Sequence, residues 1–336
     1  MEIEELRERL VPFVRAKTGD PNARLVSAEY GPGHAGFSYL FDIEAAGKLQ
    51  RYFLRLPPPN VKLEGTADVL RQVAALNALE GTDVPHATVV WSGAEEEWFG
   101  RPYFVVPRLE GDVLRLGDGE WGMKLTPDQR RAMAQQAMAA LAGIHQVDWE
   151  SRAPYLGPPM ELEPDVARWD RFYERAADPE LLAEIPKLRQ LLLDRIPAAP
   201  KIGIFHGDFQ WANLFFSFEG KLLAVIDWEL VGVGATLNDL GWILTFNDPA
   251  AWNHEGAASR GMMPPPEDLH AMYVEALGRD PGDVAWFQAL AAYKFSIISG
   301  FNLMLHRRGK RHDPHWEIMK ESMPGLVSYG VRLLDS

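Results

Sequence analysis

Ile3, Leu6, Leu10 and the Phe13/Val14 pair recur at helical spacing, so residues 2–17 predict an amphipathic helix. The pattern then changes to β-branched and aromatic runs cut by Gly and Pro, "RLVSAEYGPGHAGFSYLFDIEAAGKLQRYFLRLPPP". Within it "EAAGK" reads as a turn between antiparallel strands, and the prolines at 57–59 stop the second strand. Helical periodicity returns over residues 66–80 through Val69, Val73, Leu76 and Leu79 and ends at Gly81. Two more strands are expected in "HATVVWS" and "PYFVVPRL". Beyond Gly111 the chain is mostly helical, and Thr126-Pro127-Asp128-Gln129 carries a capping box with proline at the first helical position. Met133, Ala137, Leu141 and Ile144 give that helix its apolar stripe. Inside this helical half sits a β island, with "KIGIFHGDF" and "KLLAVIDWEL" flanking a hairpin turn at "FSFEG".

A chain of 336 residues exceeds the size at which one core stops growing, so two domains or lobes are expected. The net charge of −13 argues against a nucleic-acid or anionic-membrane partner, which would call for an excess of Lys and Arg. With no cysteine, disulfides, thiolate zinc sites and cysteine nucleophiles are excluded. The charged start "MEIEELRERLVPFVRAK" lacks the apolar centre of a secretion signal. The most apolar long run, 287–305, is interrupted by Lys294 and Asn302 and reads as a core helix, with no membrane span. A cytoplasmic protein is the expectation.

The polar residues of the β island carry the chemistry. Asp208 and Asn213 stand five positions apart in "FHGDFQWANLFF", and Asp227 ends the next apolar run. Singly, each is an ordinary turn-former, and His206-Gly207-Asp208 alone could belong to a metal-hydrolase site. Together they have the spacing used by kinases: one aspartate orients a hydroxyl and accepts its proton, while the asparagine and second aspartate hold Mg²⁺ against nucleotide phosphates.

"HGDFQWAN" followed by "VIDWE" resembles the aminoglycoside phosphotransferase and choline kinase superfamily, and the arginine of "YFLRLP" is similar to that of its branch with acyl-CoA-dehydrogenase-linked kinase domains. The resemblance implies an α+β, two-lobed, protein-kinase-like fold. Residues 1–106 would form the nucleotide-binding lobe, 107–112 the hinge and 113–336 the helical lobe with the acceptor site. It implies Asp208 as the catalytic base, Asn213 and Asp227 as Mg²⁺ ligands, and His206 and Glu229 as supports. Gly33, His34 and Gly36 in "YGPGHAGFSYLF" would approach the phosphates of ATP or GTP, and Pro107, Arg108 and Leu109 would edge the adenine pocket. Asp239, in "GATLNDLGW", would cap a helix or fix the catalytic loop, and His145 would be a packing residue.

The sequence departs from the family pattern at two places. The phosphate-gripping lysine is replaced by Arg55, which can bind phosphate bidentately. The usual partner glutamate is replaced by Gln72, with Glu64 or Asp68 as alternative sources of the carboxylate. The implied activity is transfer of the γ-phosphoryl group of ATP, or of GTP, to a hydroxyl of a small-molecule acceptor. A hydroxyacyl or other apolar alcohol is the alternative acceptor. The tail "YKFSIISGFNLMLHRRGKRH" is similar to that of the hydroxyacyl-associated branch, where Arg307, Arg308, Lys310 and Arg311 would face an anionic group or simply cap a solvated helix end. The alternative of another class is a nucleotide-binding pseudokinase that regulates a partner.

Overall fold

A computed structural model describes residues 1–31, 37–117, 120–254 and 257–335. The chain opens with helix α1 (Ile3–Thr18), followed by strands β1 (Arg24–Tyr30), β2 (Ser38–Ala45) and β3 (Lys48–Arg55). After helix α2 (Val69–Leu79) come β4 (Trp91–Gly93) and β5 (Tyr103–Pro107). These strands form one antiparallel sheet in the order β1-β2-β3-β5-β4. Leu6, Leu10, Phe13 and Val14 of α1 are buried against Tyr39, Phe41, Ile43, Tyr103 and Val105 of the sheet. The Phe13 ring is central there, 5.0 Å from Phe99 and 5.4 Å from Tyr103.

Two boundaries differ from the sequence expectation. Helix α2 begins at Val69 because the Asp68 carboxylate accepts from Leu70 N at 3.0 Å and so caps its first turn. Most of "HATVVWS" lies outside the sheet, and only Trp91–Gly93 form a strand there. Just before that segment, Pro85 O accepts from Val225 N at 3.0 Å, which ties the chain to the other half of the molecule.

The second half contains α3 (Pro127–His145), α4 (Ile185–Asp194), α5 (Leu237–Asn247), α6 (Pro266–Leu277), α7 (Ala285–Arg307) and α8 (Met323–Asp335). The Thr126/Gln129 capping box of α3 is present in both directions. Val69, Val73, Leu76 and Leu79 of α2 share a core with Met133, Ala137 and Leu141 of α3, so this helix spans the junction between the two halves. Helix α7 is an interior helix. Its Lys294 ammonium lies 2.6 Å from the buried Asp165 carboxylate, and no helix among the described residues is long and apolar enough to cross a membrane.

The β island is wired differently from its sequence reading. Strands β6 (Asp112–Val113), β8 (Leu214–Phe216) and β9 (Leu222–Val225) form one small sheet, and the turn at "SFEG" joins β8 to β9. Strand β7 (Ile202–Phe205) pairs instead with β10 (Gly232–Ala235), antiparallel, with Gly232 opposite Phe205. A side chain at 232 would bring its Cβ within 2.6 Å of the Phe205 ring, so the glycine permits the close approach. The carboxylates of residues 208 and 227 therefore follow strands of two different small sheets.

Candidate active site

The loop after β7 turns sharply at Gly207, whose φ of 89° and close approach to Leu230 O leave no room for a side chain. A buried carboxylate fixes this turn. Asp239 accepts from His206 N at 2.6 Å and from Gly207 N at 2.8 Å. The His145 Nε2 atom lies 3.3 Å from the same carboxylate, and its Nδ1 lies 2.7 Å from the Tyr273 hydroxyl. Thus His145 belongs to a buried polar chain rather than to apolar packing alone.

The His206 imidazole, fully buried, bridges two segments. Its Nε2 donates to Ile226 O at 2.8 Å and its Nδ1 accepts from Asp208 N at 3.2 Å, so the partners dictate the tautomer. One ring thereby fixes the loop bearing Asp208 relative to the residue before Asp227.

Asp208 receives four N–H contacts. Trp242 Nε1 donates to Oδ1 at 2.8 Å, and Asn213 Nδ2 donates to Oδ2 at 3.0 Å. Gln210 Nε2 donates to both oxygens, at 2.8 and 2.9 Å. Burial pushes the Asp208 carboxyl up from its usual range, with the Gln210, Trp242 and Asn213 donors opposing. The Asn213 amide nitrogen also donates to Asp208 O at 2.9 Å, which leaves its Oδ1 turned away from the aspartate.

Asp227 occupies the left-handed region at φ 63°, exposes its side chain, and has no hydrogen bond to its carboxylate among the described residues. Trp228, immediately after it, is buried and donates to Val225 O at 2.9 Å, locking the turn. Glu229 then reaches Arg55, with Oε2 3.1 Å from Nη2. Burial and the charge of Asp227 push the Glu229 carboxyl up, while Arg55 and Arg311 oppose. Glu229 is thus acted on by the charges of Asp227, Arg55, Asp208 and Arg311.

The expected partner of Arg55 is corrected accordingly. Gln72 is buried and borders the same small cavity as Arg55 and Glu229, yet its Nε2 has no hydrogen-bond partner among the described residues. Asp68 is used as the helix cap, and Glu64 pairs with Lys62. Arg55 Nη1 also donates to Ser38 Oγ at 2.8 Å. In the stretch 107–109, Arg108 N donates to Arg51 O at 2.9 Å and its guanidinium lies 3.6 Å from Glu29. Pro107 ends β5 opposite Tyr52, and Leu109 is half-buried beside it. Gly33, His34 and Gly36 lie outside the described residues.

Sequence reasoning passed over Gln210 and Trp242. Gln210 sits inside the quoted motif, at one of its variable positions. Trp242 follows the apolar pattern of α5 and could not be told from a core residue until its Nε1 was seen on Asp208.

A family model described as "Phosphotransferase enzyme family" matches residues 32–287. The chain belongs to that family. Its sequence is 26% identical over 291 residues to the Gallus gallus protein "Acyl-CoA dehydrogenase family member 11", covering 83% of this chain and 36% of that protein. The chain spans about a third of the length of the curated acyl-CoA dehydrogenase relatives it matches. Among solved structures, a Ralstonia eutropha JMP134 protein provisionally described as an aminoglycoside phosphotransferase superposes with a TM-score of 0.78 at 23% identity, over 98% of both chains. Aminoglycoside phosphotransferase APH(4)-Ia, solved in a ternary complex with ADP and hygromycin B, gives 0.58 at 15% identity, over 96% of this chain and 98% of that one. The two-lobed protein-kinase-like fold of the phosphotransferase family is thus that of this chain, and the resemblance to the acyl-CoA-dehydrogenase-linked branch holds.

Proposed function

We propose that this phosphotransferase-family chain moves the γ-phosphoryl group of ATP, or of GTP, onto a hydroxyl of a small-molecule acceptor, in the cytoplasm and with Mg²⁺. The observation that carries the reading is the Asp208 carboxylate, clamped by Trp242 and Asn213 while Asn213 Oδ1 and the Asp227 carboxylate remain for a cation. The donor set suits Mg²⁺, a hard ion that takes few protein oxygens and shares the rest of its shell with phosphates and water. No group of three or more His, Cys, Asp or Glu among the described residues is arranged to hold a metal, which disfavours a zinc-type centre.

In this reading Asn213 and Asp227 would hold the ion, which when bound neutralises phosphate charge. Asp208 orients the acceptor hydroxyl and takes its proton, and Arg55 offers its guanidinium to the phosphates. The main-chain strip of Pro107, Arg108 and Leu109 would edge the adenine. Asp239 and His206 hold the loop so that these groups need not reorganise during transfer. Glu229 supplies Arg55 with the carboxylate that Gln72 lacks, which weakens the case for a pseudokinase.

Trp242, bonded to Asp208, stacks on Phe246 at 4.8 Å, and Phe295 meets Phe246 edge-on at 4.8 Å. These rings are packed core, and their part is to hold the Trp242 Nε1 atom on Asp208. The acceptor is either an aminoglycoside-type polyol or an apolar alcohol, including a hydroxyacyl compound. The test is phosphoryl transfer from ATP and GTP to a panel containing hygromycin B, ethanolamine and hydroxyacyl thioesters. Transfer to one of them, reduced about 10²- to 10⁴-fold by Asp208→Asn, is expected. Nucleotide binding with no transfer to any acceptor would refute the reading.

A further inference from the structure

The Gln210 side chain lies across the Asp208 carboxylate. Its Nε2 bonds both carboxylate oxygens, at 2.8 and 2.9 Å. A carboxylate offers about four lone-pair positions; Trp242 takes one on Oδ1, Asn213 takes one on Oδ2, and the Gln210 amide is shared between both oxygens. The side of the carboxylate that Gln210 covers opens to a hydroxyl when that amide leaves.

The three donors are not equally free to leave. Trp242 is buried and stacked on Phe246, so withdrawing its N–H would disrupt the packed ring cluster. Asn213 is buried and also bound to Asp208 O at 2.9 Å. Gln210 is partly exposed, lies on the loop, and has no side-chain hydrogen-bond partner except the Asp208 carboxylate among the described residues. Rotation about its side-chain torsions removes both contacts without moving the backbone.

Building on the proposed phosphotransferase activity, we infer that Gln210 is a displaceable latch on Asp208 that suppresses phosphoryl transfer to water. Water binds too weakly to expel an amide hydrogen-bonded to a charged group. An acceptor held through the rest of its body brings the binding energy needed to displace it. In both reactions the bond from the γ-phosphorus to its bridging oxygen breaks. A bond from phosphorus to the attacking oxygen forms, and the proton of that oxygen passes to Asp208 and then to solvent. The products are ADP with a phosphate monoester, or ADP with inorganic phosphate.

The test uses the full chain with Mg²⁺ and ATP alone, following release of inorganic phosphate. Gln210→Ala, and Gln210→Met with its similar volume and no N–H, should each hydrolyse ATP about 5- to 10-fold faster than the parent, the factor expected for losing one hydrogen bond of ordinary net strength. Equal or slower hydrolysis in both folded variants overturns the latch. A second readout needs no turnover: with glutamine side chains labelled with ¹⁵N, the Gln210 amide signal, assigned by its absence in Gln210→Ala, should shift in Asp208→Asn. An unmoved signal also overturns it. If the parent phosphorylates an acceptor while the variants hydrolyse no faster, the latch alone fails. If the parent transfers to no acceptor at all, the underlying phosphotransferase reading fails.

Discussion

Arg55 of β3 and Glu229, two residues after Asp227, form an ion pair of 3.1 Å between the five-stranded sheet and the turn that follows β9. The arginine is mostly buried and the glutamate more open, with side-chain exposures of 17% and 41%. A half-open pair of this kind adds little stability, on the order of 1 kcal/mol or less. Its consequence lies in competition: the guanidinium that would meet phosphate is already held by a carboxylate. Arg55→Met is expected to weaken Mg-ATP binding about tenfold, as for loss of a charge-assisted hydrogen bond. Glu229→Gln, which frees the guanidinium, is expected to leave that binding as tight or tighter. Calorimetric titration of both variants checks the opposite signs.

Asp239 should be structurally sensitive. It is 1% exposed and receives the N–H groups of His206 and Gly207. In Asp239→Asn the new amide NH₂ would face one of those donors, so a destabilisation of about 2–3 kcal/mol is expected by denaturant unfolding. Transfer activity should fall with it, because the loop bearing Asp208 loses its anchor.

Asp227 should behave in the opposite way. Its carboxylate is exposed and free of hydrogen bonds among the described residues, so Asp227→Asn should leave the melting temperature nearly unchanged. Asn tolerates the left-handed backbone at φ 63°, whereas Asp227→Ala should lose roughly 1 kcal/mol. In both variants the increment that Mg²⁺ adds to the affinity for a non-hydrolysable nucleotide should vanish. Titrations with and without Mg²⁺ measure it.

His254 predicts an acid limb in stability. It is buried against Ser322, with Nδ1 2.8 Å from Oγ, and burial followed by the charge of Arg260 pushes its pKa down to about 4. Between that value and about 6.5 the unfolded chain binds a proton that the native chain does not. Stability therefore drops as pH falls from about 6.5 toward 4. His254→Asn should lose less over that window than the parent does, as read from melting temperatures between pH 7.5 and 4.5.

Much of the framework could be read from local pattern. The stripe at Leu6, Leu10 and Phe13, the α3 capping box and the strands about "EAAGK" all depend on residues close in sequence. What escaped depends on partners that are distant in sequence. Strand β10 is four residues long and half glycine, so neither length nor alternation marks it; pairing with β7 makes it a strand. The Arg55–Glu229 contact spans 174 positions, and the family habit pointed to Gln72 instead. Trp242 looked like one more apolar residue on α5 because periodicity registers burial and ignores where an indole N–H is aimed.

The imidazole of His206 has a mechanical consequence. Spanning 2.8 Å to Ile226 O and 3.2 Å to Asp208 N, it acts as a spacer whose length is set by the geometry of one aromatic heterocycle. Strands β7 and β9 belong to separate sheets and share no ladder that would keep them in step. The gauge between the two acidic positions is therefore carried by this rigid ring together with the Ile226 N–H donated to Asn213 O at 2.9 Å, and a flexible replacement of the imidazole would let that gauge drift.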